Sequence, residues 1–141
     1  MDRAATAVWR GGFKDGKGTL STQSGVLKDT QYSFSSRFEQ GIGTNPEELI
    51  GAAHAGCFTM ALSHQLTGAG LKPEKLTTTA DVTVEKKDDG FSITKVHLTL
   101  RGKVPGASKE AFDKAANAAK VGCPVSKVLN ATITMDAALE G

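Results

Sequence analysis

From Pro46 to Thr67 the chain reads PEELIGAAHAGCFTMALSHQLT, with no proline after the first residue and no turn cluster. An uninterrupted helix of this length spans roughly 30 Å, about the diameter of a small domain, so the rest of a 141-residue chain has to pack around it. Thr44 or Asn45 can cap its start, Pro46 suits a first helical position that has no N–H to satisfy, and Glu47 and Glu48 favour the positive end of the helix dipole. GAGLKP closes it after Thr67. Its apolar residues, Leu49, Ile50, Phe58, Met60, Leu62 and Leu66, do not keep to one narrow stripe, which predicts burial on more than one side. Its centre, Gly51 to Gly56, is thinned almost to backbone and is followed directly by Cys57.

The flanking segments alternate with the period of strands. TAVWRGGF and GTLSTQSG around KDGKG predict a hairpin, and QYSFSSRF places Tyr32, Phe34, Ser36 and Phe38 on one strand face with Arg37 on the other. Beyond the helix, two strands surround Asp88-Asp89-Gly90, with a bulge expected between Ile93 and Val96. SKEAFDKAANAAK predicts a helix capped by Ser108 and ending at Gly122; a short helical start follows at CPVSKVLN, and ATITMDAAL is a last strand. The expected architecture is α+β, with antiparallel sheets packed on the long central helix. With no repeat, linker or low-complexity tract, residues 1–141 are expected to form a single domain.

A formal charge of +2 is too small to argue for nucleic acid or an anionic membrane surface. No signal-like or membrane-spanning apolar run occurs, so a cytoplasmic location is expected. In a reducing compartment the two cysteines, Cys57 and Cys123, are either buried bystanders or do chemistry. The chemical reading needs one thiolate that attacks and a second thiol that closes a disulfide. Cys57 lies mid-helix, where the N-terminal dipole has faded, so its activation requires a placed cation. Arg37 is the candidate among only four arginines, although a solvated edge residue would read the same way. Cys123, at the start of a short helix, is either a favoured thiolate or a simple turn residue. His54, three residues before Cys57, can form a cysteine-histidine pair on the helix surface, but no third orienting group is identifiable. No CxxC or HExxH pair supports a metal site.

RFEQGIGTNPEELIGAAHAGCFTMALS and GCPVSKVLNATITMDAAL strongly resemble the OsmC branch of the OsmC/Ohr proteins, and AVWRG, GKGTLSTQSGVL and TTADVTVEK extend the likeness along the chain. The resemblance implies an intertwined homodimer that reduces organic hydroperoxides and, less efficiently, hydrogen peroxide, in oxidative and osmotic stress defence. It implies that Cys57 is the peroxidatic cysteine and Cys123 the resolving one, with Arg37 and Glu47 completing the site; Glu48 is the neighbouring alternative to Glu47. It implies no bound cofactor and no metal, and an external dithiol reductant, lipoyl-protein or thioredoxin-like.

Glu47 and Cys57 are ten residues apart on one helix, roughly 15 Å along its axis, too far for one side chain to bridge. Two copies of the helix crossing antiparallel near Ala52 would set Glu47 of one opposite Cys57 of the other, and the small residues from Gly51 to Gly56 would allow the backbones to approach. Phe58, Met60 and Leu49 are expected to favour bulky alkyl hydroperoxides. Two rivals stand beside this reading: a non-enzymatic dimer that binds an apolar small molecule, and a cysteine-histidine hydrolase using His54.

Overall fold

The computed structural model describes residues 1–141, which divide into two compact units, Met1–Leu49 and Ile50–Gly141. In the first unit β1 (Ala5–Arg10), β2 (Lys17–Thr22) and β3 (Thr30–Tyr32) form an antiparallel sheet in that order. Trp9, Gly18 and Tyr32 lie opposite one another across the three strands. The rings of Trp9 and Tyr32 are 5.5 Å apart, over the position where Gly18 offers no side chain; a Cβ there would stand 2.4 Å from Tyr32.

The strand expected through Arg37 ends at Tyr32. Ser33 instead caps a short helix, α1 (Phe34–Phe38): its hydroxyl accepts from the Ser36 N–H and the Ser36 hydroxyl accepts from the Ser33 N–H. This reciprocal pair satisfies two orphan donors at once, and so overrides the two-residue periodicity of QYSFSSRF.

The long helix α2 (Pro46–Gly68) begins in the first unit and continues into the second. Asn45 caps it, its Oδ1 accepting from the Glu48 N–H at 2.8 Å. At the other end Gly70 has φ 77°, and the Leu71 and Gly70 N–H groups bond the Leu66 and Thr67 carbonyls, closing the last turn.

In the second unit β4 (Lys75–Lys87) and β5 (Gly90–Lys103) form a hairpin across Asp88 and Asp89. Thr83 faces Lys95 while Val84 faces Ile93, so Thr94 is the extra residue of a bulge within the expected interval. β6 (Thr132–Leu139) runs parallel to β5, which makes this sheet mixed rather than wholly antiparallel. The chain reaches β6 through α3 (Lys109–Gly122), capped by Ser108, and α4 (Pro124–Val128); a parallel pairing needs such a crossover. Val96, Leu98 and Leu100 of β5 share one sheet face and are fully buried with Phe58, Leu62 and Leu66 of α2 and Phe112, Ala116 and Cys123 of the α3 segment. Each large apolar side chain in that cluster contributes roughly 1.5–3 kcal/mol, and these contacts fix where Cys57 and Cys123 stand.

Candidate active site

In the first unit, Arg37 of α1 and Glu47 of α2 form an ion pair. Arg37 Nε donates to Glu47 Oε1 at 3.0 Å and Oε2 at 3.3 Å, and Nη2 donates to Oε1 at 2.8 Å. The Glu47 side chain is 10% exposed and that of Arg37 36%, so the carboxylate is the anchored member and the guanidinium the accessible one. Glu48, the alternative carboxylate, is engaged elsewhere: it accepts from Thr44 Oγ1 at 2.6 Å.

The loop between the two partners is fastened by short bonds. Ser36 Oγ donates to the Thr44 carbonyl at 2.7 Å and Asn45 Nδ2 to the Ser36 carbonyl at 3.1 Å. Gly43 has φ 122°, and a Cβ there would stand 2.5 Å from the Gln31 carbonyl oxygen, so the loop requires glycine at this point. Arg37 also lies 5.1 Å from the Phe38 ring. Together with Trp9, Phe13, Ser33 and Phe34, these two residues line a cavity of about 170 Å³.

In the second unit, Cys57 of α2 and Cys123, at the junction of α3 and α4, are both free thiols. Although distant in sequence, the two thiols lie close enough for Cys123 to perturb Cys57. Cys123 is fully buried and Cys57 half-buried. Burial pushes the Cys57 thiol up, the donation of its S–H towards Cys123 adds to this, and the Val125 N–H acts in the opposite direction. No cation within this unit offsets the rise.

His54 does not pair with Cys57. Its Nε2 lies 2.7 Å from Ser126 Oγ, and its Nδ1 is buried without a partner. Burial lowers its pKa, which favours the neutral ring. The geometry therefore provides no general base on Cys57, which removes the basis of the cysteine-histidine hydrolase. Phe58 is fully buried in the apolar core and cannot line a substrate site as the sequence led us to expect; a neighbour of a reactive cysteine on a helix can equally face inward. Met60 is 78% exposed. Ser126 and the Val125 N–H carried no signal beyond membership of the CPVS turn. No three His, Cys, Asp or Glu side chains gather to hold a metal.

The family model for the OsmC-like proteins matches residues 39–138. The chain belongs to the OsmC-like family. It is 55% identical over 136 residues to peroxiredoxin OsmC of Escherichia coli, covering 96% of this chain and 95% of that one. It is 27% identical over 117 residues to the organic hydroperoxide resistance protein OhrB of Bacillus subtilis, covering 82% and 84% of the two chains. The crystal structure of OhrB superposes with a TM-score of 0.70 at 26% identity, covering 96% of this chain and 98% of that one. An OsmC-like protein of Vibrio cholerae shares the fold, with a TM-score of 0.78 at 19% identity over 98% and 99% of the chains.

Proposed function

We propose that this protein is a thiol peroxidase that reduces organic hydroperoxides through Cys57 and Cys123. The observation that carries the reading is the proximity of these two thiols, brought together from distant segments so that Cys123 perturbs Cys57, in a chain so similar to a peroxiredoxin. The Cys57 thiolate attacks the terminal peroxide oxygen and the O–O bond breaks. The leaving alkoxide takes a proton to become the alcohol, and Cys57 is left as a sulfenic acid. The Cys123 sulfur then attacks the Cys57 sulfur: the S–S bond forms, the S–O bond breaks, and hydroxide leaves with the thiol proton as water. An external dithiol returns both cysteines to thiols and is itself oxidised to a disulfide; no resident cofactor takes part.

The first step needs a thiolate, and the surroundings of Cys57 within its own unit oppose one. Arg37 supplies the missing charge, with Glu47 holding its Nε and Nη2 edge so that the remaining edge faces sulfur and peroxide oxygen. Because Glu47 and Cys57 are ten residues apart along the unbroken helix, the Arg37–Glu47 pair of one copy acts on Cys57 of the other in an isologous homodimer. Ala52, Ala53, Gly56 and Met60 are exposed on the helix, and β1, including Val8 and Trp9, is exposed along its whole length. A second copy could cover the exposed apolar residues of either element.

The aromatic cavity beside Arg37 suits the alkyl or aryl group of an organic hydroperoxide over hydrogen peroxide, which gains nothing from apolar burial. At about 170 Å³ it falls short of the roughly 300–1,000 Å³ of ordinary ligand sites, which weighs against a dedicated binder of apolar molecules. Free thiols of this kind suit a reducing cytoplasm, and no helix is long and apolar enough to cross a membrane.

The decisive measurement is the intact mass before and after one equivalent of cumene hydroperoxide. The loss of two hydrogens is expected in the wild type and not in Cys57→Ser. Retention of both thiols in the treated wild-type protein overturns the reading.

A further inference from the structure

The His54–Ser126 contact has no part in the cycle above, yet it is placed symmetrically about the two sulfurs. His54 lies one turn before Cys57 on α2, and Ser126 lies three residues after Cys123 on α4. The two side chains meet at 2.7 Å, with the imidazole fully buried. One ring nitrogen, Nδ1, has no partner. Burying a polar group unsatisfied costs about 1–3 kcal/mol, whereas an apolar side chain at position 54 would carry no such penalty. The tautomer that limits the penalty places the proton on Nε2, donating to Ser126 Oγ, and leaves Nδ1 with a bare lone pair.

α4 has few polar ties to the rest of the unit. It is five residues long and none of them is fully buried, although Val125 packs against the core between the buried Cys123 and the half-buried Leu129. Besides the sulfur contact itself, its polar ties to α2 are the Val125 N–H towards the Cys57 sulfur and the Ser126 hydroxyl on His54. When Cys57 becomes a sulfenic acid its sulfur gains an oxygen, and the first two ties are disturbed by the reaction itself. The His54–Ser126 bond is the one polar tie among these that the chemistry does not touch.

We infer that the buried His54–Ser126 hydrogen bond is a positioning pair that keeps Cys123 within reach of oxidised Cys57 and thereby sets the rate of disulfide closure. The inference rests on the peroxidase reading for its place in the cycle. Closure needs the two sulfurs at about 2.05 Å with their Cβ atoms suitably oriented, and the fraction of time that α4 is docked multiplies the rate directly. His54 and Ser126 touch neither sulfur in this scheme and act through the segment they hold.

The test compares the wild type with Ser126→Ala and Ser126→Thr. Sulfenic acid formation at Cys57 is followed by dimedone trapping after cumene hydroperoxide, and closure is followed by loss of both thiols. Closure is also driven by diamide, which oxidises a thiol pair without any peroxide. In Ser126→Ala, closure is expected to slow about tenfold with either oxidant, equivalent to about 1.4 kcal/mol, while the rate of Cys57 oxidation by cumene hydroperoxide, read as dimedone adduct plus disulfide, stays within about twofold. Ser126→Thr, which keeps the hydroxyl, is expected to close near the wild-type rate. Unchanged closure in Ser126→Ala overturns the inference, as does a variant that fails to fold or that loses oxidation and closure alike. A wild-type protein that closes with diamide but does not react with cumene hydroperoxide removes the peroxidase reading and leaves the positioning role to be decided by the diamide rates.

Discussion

At the residue scale, the surroundings of Cys57 separate placement from activation. The fold sets the two sulfurs together but pushes the Cys57 thiol up, chiefly through burial. A neutral thiol is a poor nucleophile, so reaction near pH 7 requires a charge from outside this local environment. In the proposed dimer the thiolate absorbance of Cys57 near 240 nm is expected to titrate below the ordinary thiol range, and Arg37→Met is expected to move the midpoint above it. An opposite charge at contact distance changes the thiolate population at neutral pH by about ten- to a thousandfold, and oxidation by cumene hydroperoxide should slow correspondingly. Equal midpoints in the two proteins would show that Arg37 does not activate Cys57. The position of Arg37 could not be read from its strand-like context, because the hydroxyls of Ser33 and Ser36 cap each other and turn the segment into a helix.

At the scale of the element, the start of α2 joins stability to the site. Asn45 caps the helix through Oδ1 and ties the preceding loop to Ser36 through Nδ2. Loss of an N-cap costs about 0.5–2 kcal/mol, and here a second bond goes with it. Asn45→Ala is expected to lower Tm by several degrees, with Asn45→Asp falling between the two because it keeps the acceptor and loses the donor. Calorimetry is the check; an Asn45→Ala protein as stable as the wild type would mean that Thr44 or solvent replaces both bonds. The cap, the helix and its end were legible in NPEE and GAGLKP because these are local backbone rules. The parallel direction of β6 was not legible, because strand polarity depends on how α3 and α4 carry the chain across the sheet.

For the whole molecule, the proposed two-fold crossing makes a prediction that separates assembly from folding. Ala52 is exposed in the single chain, so Ala52→Leu should leave each chain folded. At a close helix crossing the larger side chain would hold the backbones apart. Sedimentation is expected to show a shift from dimer towards monomer, with peroxidase turnover lost in parallel. A monomeric Ala52→Leu protein with full turnover would refute the shared site. The thinned centre of the helix has mixed uses: Gly51 lies against the chain's own sheet, where a Cβ would stand 3.2 Å from the Ala80 carbonyl oxygen, whereas Gly56 has open space beside it. Small residues in a sequence show that something approaches closely, but not whether it is the same chain or another copy.

The sequence by itself determined the elements whose signals lie within a few residues: the capped long helix, the β4–β5 hairpin with its bulge, the Ser108-capped helix, and the presence of two cysteines in recognisable surroundings. Only the tertiary structure decided that the two thiols come close enough to interact, that Glu47 rather than Glu48 holds Arg37, and that His54 turns to Ser126 rather than to Cys57. Caps and turns are settled by backbone groups a few bonds apart, while these side-chain pairings depend on how distant segments share one apolar core, which no short window of sequence contains.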